Sequence, residues 1–298
     1  MTNKSSVIEV VNLTKRFGNI VAVNNISLTV EIGTIHGFLG PNGAGKTTTL
    51  RCALGLLRPN KGEVRIFGEK MSPNKTNIQK KVGYLPGEVY LYPYYSVKQL
   101  LDYFGNLYGN QNPPLRQELV ERFNLDENTK TKALSKGNGQ KVGIIQALMH
   151  DPDLLILDEP SSGLDPLLQN VFYKVLREFR DRGKTIFFSS HVLSEVQKVC
   201  DYVSVIREGD IVSSEDVSIL VNKIQRKIIL TFNDNNMTDP PSFPNLEFIN
   251  REGEKFNYLV KGTIKDSITQ LNIPEIQNII IPELSVEDYF LSYYQKED

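Results

Sequence analysis

Gly40-Pro41-Asn42-Gly43-Ala44-Gly45-Lys46-Thr47 fits the pattern G-x-x-x-x-G-K-[ST]. Glycines in such a run let the backbone curl until successive N–H groups point inward around an anion. A helix opening at Lys46 adds the positive end of its dipole. Lys46 would place a point charge on the β- and γ-phosphates of a nucleotide, the Thr47 hydroxyl would ligand Mg²⁺, and Thr48 extends the set of contacts. A magnesium-bound nucleotide needs a second acidic site. Leu154-Leu155-Ile156-Leu157-Asp158-Glu159 offers one, an apolar run ending in two carboxylates. Asp158 would hold Mg²⁺ through water, and Glu159 would point at the γ-phosphate and polarise an attacking water. Each segment has a plainer alternative, a glycine-rich turn with a chance lysine and an acidic strand cap. Their joint presence weighs against both.

These residues need a strand–loop–helix frame, and the surrounding pattern supplies it. Short runs rich in Val, Ile and Leu at 7–13, 26–30, 34–39 and 63–67 read as strands. A helix is expected over 46–57, and 75–150 reads as mostly helical, with helices near 96–108, 115–124 and 138–149. The wholly apolar run at 154–157 is that of a central parallel strand. Alternating strands and helices continue to 214, which predicts a mostly parallel α/β sheet with helices on both faces. After 220 the pattern changes. Strands are expected at 227–232, 246–250, 256–260 and 276–281, with a Glu252–Gly253 turn, a loop over 233–245, and helices at 264–271 and 285–294. This predicts two domains, 1–224 and a small α+β domain over 225–298.

With both segments placed, the sequence resembles the ATP-binding subunits of ABC transporters, over roughly residues 7–215. Leu134-Ser135-Lys136-Gly137-Asn138-Gly139-Gln140 occupies the place of that family's signature loop, usually Leu-Ser-Gly-Gly-Gln. Ser161-Ser162-Gly163-Leu164-Asp165 looks like the loop that carries an aspartate to a dimer partner. Ser189-Ser190-His191 resembles the switch-histidine segment, and Val82-Gly83-Tyr84-Leu85-Pro86 the lead-in to the glutamine loop. Phe17 sits where an aromatic ring stacks on adenine. The resemblance implies a P-loop NTPase core with an antiparallel β subdomain and a helical subdomain, ATP and Mg²⁺ as ligands, and ATP hydrolysis. It also implies a second ATP-binding subunit, homo- or heterodimeric. Ser135, Lys136, Gly137, Asn138 and Asp165 would meet that partner's nucleotide, while His191 contacts the γ-phosphate. A membrane permease driven from the cytoplasmic, inner face of the cell membrane completes the expectation.

Departures from the family pattern are local. Lys136 replaces the first signature glycine and Asn138 the glutamine. Gly87 stands where the family has its Mg²⁺-contacting glutamine; either the next residue, Glu88, substitutes as an oxygen ligand or coupling to the membrane partner runs differently. The Leu-Pro-x-Glu segment, the Lys-Gly-Asn signature and the C-terminal extension resemble an exporter branch that handles drugs, lipids or polysaccharides. The run Pro282 to Phe290 resembles that branch's ending. Tyr90, Tyr92, Tyr94 and Tyr95 would either line a groove for a membrane subunit's helix or pack inside the helical subdomain. Tyr103 and Phe104, at helical spacing, are expected to pack.

Composition sets the outer bounds. The 298 residues carry 34 Lys plus Arg against 35 Asp plus Glu, a net charge of −1, which argues against nucleic-acid binding through bulk charge. Apolar residues make up 40% and charged residues 23%, a globular balance. No apolar run is long enough to span a bilayer, and the polar stretch Met1 to Ser6 does not read as a signal peptide. Cys52 and Cys200 have no pairing or metal spacing and fit a reducing compartment. His36 and His150 lack a motif context and are expected to be structural. Two rival readings remain at this level. A soluble ABC-type ATPase of translation or DNA repair would need a second ATPase half or a coiled-coil insertion between Lys46 and Ser135. A nucleotide-gated binding protein with little turnover is motivated by Gly87 and Lys136.

Overall fold

The computed structural model describes residues 6–109, 113–223, 226–233, 239–271 and 274–283. The chain divides into two compact units, Met1–Val217 and Ser218–Asp298. The first begins with β1 (Ser6–Phe17), β2 (Ile20–Glu31), β3 (Ile35–Leu39), α1 (Lys46–Ala53), β4 (Lys61–Ile66), β5 (Glu69–Lys70) and α2 (Thr76–Gln79). It continues through β6 (Val82–Leu85), α3 (Val97–Leu107), α4 (Arg116–Arg122), α5 (Lys136–Leu148), β7 (Leu154–Asp158) and α6 (Pro166–Asp181). β8 (Thr185–Ser190), α7 (Leu193–Val199), β9 (Tyr202–Arg207) and β10 (Asp210–Asp216) close it.

Two sheets organise this unit. The outer one is antiparallel, in the order β2-β1-β4-β5. The central one runs β10-β9-β3-β8-β7-β6, parallel except for β10. Every residue of β3, β7 and β8 is buried, as expected of strands covered on both faces. Their side chains alternate between two cores. Ile35, Leu155, Leu157, Ile186 and Phe188 join one apolar cluster, while Phe38, Leu154, Ile156 and Phe187 join another. That period of two fixes which strand ends point where. The C-terminal ends of β3, β7 and β8 lie side by side, the edge where parallel α/β sheets place their ligands.

The sequence pattern misses one strand in the span it marks as helical. Val82–Leu85 is a strand, β6, paired parallel to β7. A Cβ on Gly83 would come within 2.1 Å of the Ala147 carbonyl, so the glycine lets α5 lie directly against this edge strand. α1 also ends earlier than expected, at Ala53, and Gly55 turns the chain with φ 72. His36 and His150 are structural. His36 is buried, bonds Ser204 Oγ at 2.8 Å, and burial pulls its pKa to about 4. His150 stacks on Tyr108 with ring centroids 3.7 Å apart, and burial likewise lowers its pKa to about 4. Tyr103 corrects its expectation. The residue is 45% exposed, its ring edge-on to Phe104, while Phe104 packs against the core.

The division between the units falls at the start of α8 (Val217–Lys223), seven residues before the boundary the sequence suggests. The second unit holds β11 (Lys227–Phe232), β12 (Leu246–Glu252), β13 (Lys255–Val260), α9 (Ile264–Gln270) and β14 (Ile276–Ile280). Its sheet is antiparallel, ordered β12-β13-β11-β14. Ile228, Leu230 and Phe232 alternate into a core with Phe256 and Tyr258. Thr263 caps α9 by accepting from the Asp266 N–H. The expected helix over 285–294, most of the Pro282–Phe290 run and part of the 233–245 loop lie outside the described residues.

Candidate functional site

The loop after β3 wraps an open cavity of about 250 Å³ lined by Asn42, Gly43, Gly45, Lys46, Thr47, Thr48 and Glu159. Two glycines there are obligatory. A Cβ on Gly40 would stand 2.2 Å from the Ile206 carbonyl, and one on Gly45, at φ 105, would stand 2.4 Å from the Ala22 carbonyl. Gly45 also begins α1, whose first turn receives no side-chain cap, so its N–H groups face the cavity as donors. Ala44 is buried, and its carbonyl accepts from Gly209 N at 3.1 Å. Gly209 in turn accepts from Asn24 N at 2.9 Å, which ties β2 and the β9–β10 turn to the loop. Lys46 is 5% exposed. Its Nζ donates to the carbonyls of Gly40 at 2.6 Å and Pro41 at 3.0 Å.

At the tip of β7, Glu159 adopts a left-handed backbone at φ 47, a strained geometry for a residue with a side chain. It turns the carboxylate toward the loop. Glu159 Oε1 lies 3.2 Å from Lys46 Nζ, and Oε2 lies 2.7 Å from His191 Nδ1. Oε1 is buried and accepts no hydrogen bond among the described residues. The arrangement therefore presents an uncommitted acceptor beside a lysine and a ring of N–H donors. Asp158 is buried beneath it. Ser189, fully buried, donates to Asp158 Oδ1 at 2.6 Å and accepts from Glu159 N at 3.0 Å.

A second cavity, of about 560 Å³, opens on the other side of Thr47, and Arg51, Gly87, Glu88, Tyr90 and Asp158 share its lining. Thr47 lines both cavities. A Cβ on Gly87 would lie 3.2 Å from Asp158 Oδ2, so the loop after β6 covers that carboxylate with bare backbone. Glu88 is exposed and accepts from the Tyr90 hydroxyl at 2.5 Å, a bond that raises the Tyr90 pKa. Tyr90 and Tyr94 are each 85% exposed, and Tyr92 and Tyr95 are also exposed. Phe17, exposed at the end of β1, lies under the Lys15 ammonium at 5.0 Å and lines neither cavity.

The remaining expected residues gather elsewhere on this unit. Ser135 caps α5, its hydroxyl accepting from Asn138 N at 3.3 Å. A Cβ on Gly137 would stand 2.7 Å from the Gly163 carbonyl, and the Lys136 stem passes beside Gly163. The first turn of α5 thus abuts the Ser161–Asp165 loop. Asp165 has a local task that the sequence reading omits. It caps α6 by accepting from the N–H groups of Leu167 and Leu168, each at 3.0 Å, with Pro166 next in line.

Residues 23–162 match the protein family described as ABC transporter. The bacitracin transport ATP-binding protein BcrA of Bacillus licheniformis is 31% identical over 296 residues, covering 96% of this chain and 97% of that protein. The chain belongs to the ABC transporter ATP-binding proteins. The Nod factor export ATP-binding protein I of Burkholderia lata is 38% identical over 203 residues, covering 66% of this chain and 67% of that protein. A solved structure of an ATP-binding subunit of an ABC transporter aligns with TM-score 0.67 and 26% identity, over 73% of this chain and 93% of that one. As an ABC ATP-binding protein the chain is an ATPase with the P-loop cassette fold, and such subunits work with membrane permease components. Among the described residues no helix is long and apolar enough to cross a membrane.

Two residues of this ABC site escape motif reading. Ser189 pairs in register with Asp158, so its position beside the β7 tip follows from the strand order. Its signal lies within Ser189-Ser190-His191, a segment whose resemblance rests on the histidine. Arg51 stands four residues after Thr47, one helical turn along α1, and so reaches the cavity that holds Asp158.

Proposed function

We propose that this chain is the motor subunit of an exporter. It clamps ATP against a second ATP-binding subunit, head to tail, and drives a separate membrane permease from the cytoplasmic face of the cell membrane. The cargo class is a drug, lipid or polysaccharide-like molecule. The names of the two relatives, one for bacitracin transport and one for Nod factor export, support that direction. The observation that carries the motor reading is the Glu159 carboxylate, held between Lys46 and His191 with Oε1 left without a hydrogen bond.

In this reading the phosphates enter the loop formed by Gly40, Pro41, Asn42, Gly43, Ala44 and Gly45, and meet the N–H groups at the start of α1. Lys46 exchanges its two backbone carbonyls for phosphate oxygens and neutralises charge that grows during transfer. Thr48 adds a hydroxyl, and the exposed ring of Phe17 stacks on the adenine. Thr47 and Asp158 would hold Mg²⁺, with Glu88 as a further oxygen ligand; all three line the second cavity, and their oxygens suit a hard cation. When bound, Mg²⁺ offsets charge on the β- and γ-phosphate oxygens. Glu159 Oε1 orients a water in line with the γ-phosphate and accepts its proton. The water oxygen bonds to γ-phosphorus as the bond to the β–γ bridging oxygen breaks, and ADP and phosphate result. His191 keeps Oε2 engaged, so the carboxylate cannot rotate away, and contacts the γ-phosphate. Ser135, Lys136, Gly137 and Asn138 begin a helix of 13 residues whose N-terminus faces the partner's γ-phosphate, beside Asp165.

The permease would meet the exposed tyrosines from Tyr90 to Tyr95, whose apolar bodies and polar tips suit an interface. The test is Glu159→Gln. The variant is expected to bind ATP and sediment as a dimer with nucleotide, yet release no phosphate above background. Monomers at saturating ATP, or unimpaired phosphate release, would overturn the reading.

A further inference from the structure

Glu195 is a buried carboxylate that the mechanism above leaves unused. It lies on α7 and is 7% exposed. A charge removed from water needs donors, and two hydroxyls supply them. Ser161 Oγ donates to Oε1 at 2.5 Å, and Ser190 Oγ donates to Oε2 at 2.6 Å. Ser161, itself buried, opens the loop that ends at Asp165. Ser190 ends β8 and directly precedes His191, and its Oγ also accepts from Val192 N at 2.9 Å. Tyr173 lies close enough that burial first, and the Glu195 charge second, push its phenol up. The same loop is held from its other side. Gln140, on α5 and 5% exposed, donates to the Pro160 carbonyl at 2.9 Å.

We infer that Glu195 is a positioning residue that locks the Asp165 loop to the His191 strand end. The face offered to a second subunit and the side chain that reads the γ-phosphate then hold one fixed spacing. A carboxylate suits this task because it is acceptor-only and bridges two donors at once with its two oxygens. The inference rests on the ATP-clamped dimer proposed above. An apolar replacement takes the acceptor from the Ser161 hydroxyl and leaves Ser190 only its long 3.4 Å bond to the Val192 carbonyl, so nothing joins the loop to the strand end and the two drift apart. A glutamine keeps the shape and, with one hydroxyl reversed, both bonds.

The experiment places Glu195→Ala and Glu195→Gln in the full chain carrying Glu159→Gln, and reads two quantities. ATP affinity of the subunit is measured by titration below the dimer concentration, and ATP-driven dimerisation by sedimentation. Glu195→Ala is expected to weaken dimerisation about tenfold, the scale of one lost buried hydrogen-bond partner, with ATP affinity within twofold. Glu195→Gln is expected to restore dimerisation to within threefold of the parent. Parental dimerisation in Glu195→Ala overturns the inference. So does an equal loss of ATP affinity and dimerisation, which marks general loosening, or a glutamine variant as weak as the alanine one. If the Glu159→Gln parent itself stays monomeric, the clamped-dimer reading fails first and the inference falls with it.

Discussion

Ser189→Ala tests how the two carboxylates of the site are held. The Ser189 hydroxyl donates to Asp158 at 2.6 Å and accepts from Glu159 N at 3.0 Å, and the residue is fully buried. A hydrogen bond to a charged acceptor contributes about 1.5–3 kcal/mol and a neutral one about 1 kcal/mol. Losing both should destabilise the first unit by about 2.5–4 kcal/mol. Most of this should be coupled to Asp158. In a double-mutant cycle with Asp158→Ala, which removes the acceptor, read by urea unfolding, the coupling should reach about 1.5 kcal/mol or more. Amide exchange gives a local reading, because the Glu159 N–H has the serine oxygen as its acceptor. Its protection should collapse in the alanine variant while neighbouring β7 amides stay protected. Release of the strained φ at Glu159 should also misplace Oε1, so phosphate release should fall at least tenfold. ATP affinity should change little. A coupling below about 0.5 kcal/mol, or a Glu159 amide as slow as in the parent, would refute the view that Ser189 fixes this corner.

Lys46→Ala removes the buried cation that the cavity presents to phosphate. Titration should show ATP binding weakened by at least tenfold, whereas adenosine, lacking phosphates, should bind both forms alike. Stability should depend on pH through His36, whose folded pKa of about 4 lies below the ordinary 6.5. Both states are neutral above 6.5, so His36 then contributes nothing to pH dependence. As pH falls from 6.5 toward 4 the unfolded chain gains a proton that the folded chain refuses, and stability drops by up to about 3 kcal/mol. His150, lowered to about 4 as well, contributes over the same window, so a His36→Gln variant should remove only its own share and roughly halve the slope of the denaturation midpoint. An unchanged slope would count against the assignment.

Much of the candidate nucleotide site is legible in the sequence, because its residues are local. Gly40 to Thr48 is one continuous segment, a loop running into the first turn of α1, and Asp158 and Glu159 end one apolar run, so spacing and residue type single them out. What could not be read depends on contacts between distant segments. Strand β6 consists of four apolar residues whose pairing with β7 no local pattern records. Asp165 resembles a partner-facing aspartate, but its capping bonds to Leu167 and Leu168 emerge only from the backbone angle of the loop. Ser189 and Glu195 look like any strand serine and helix glutamate until the order of β7 and β8 brings them beneath the site. Tyr103 follows a helical spacing that fits packing, yet the helix turns that edge outward.

The hairpin between β9 and β10 reaches the loop after β3 through main-chain bonds. One bond runs from Gly209 N to the Ala44 carbonyl, and the next from Asn24 N to the Gly209 carbonyl. At the same corner the Asn24 side-chain amide donates to Asp210 Oδ1 at 3.0 Å, so Asn24 and Asp210 brace the turn while position 209 supplies its positive φ of 89. Chain length is the quantity held constant. A single residue gained or lost there would shift the strut out of reach of Ala44, and the anion cradle would lose its rear support without any change in its own composition.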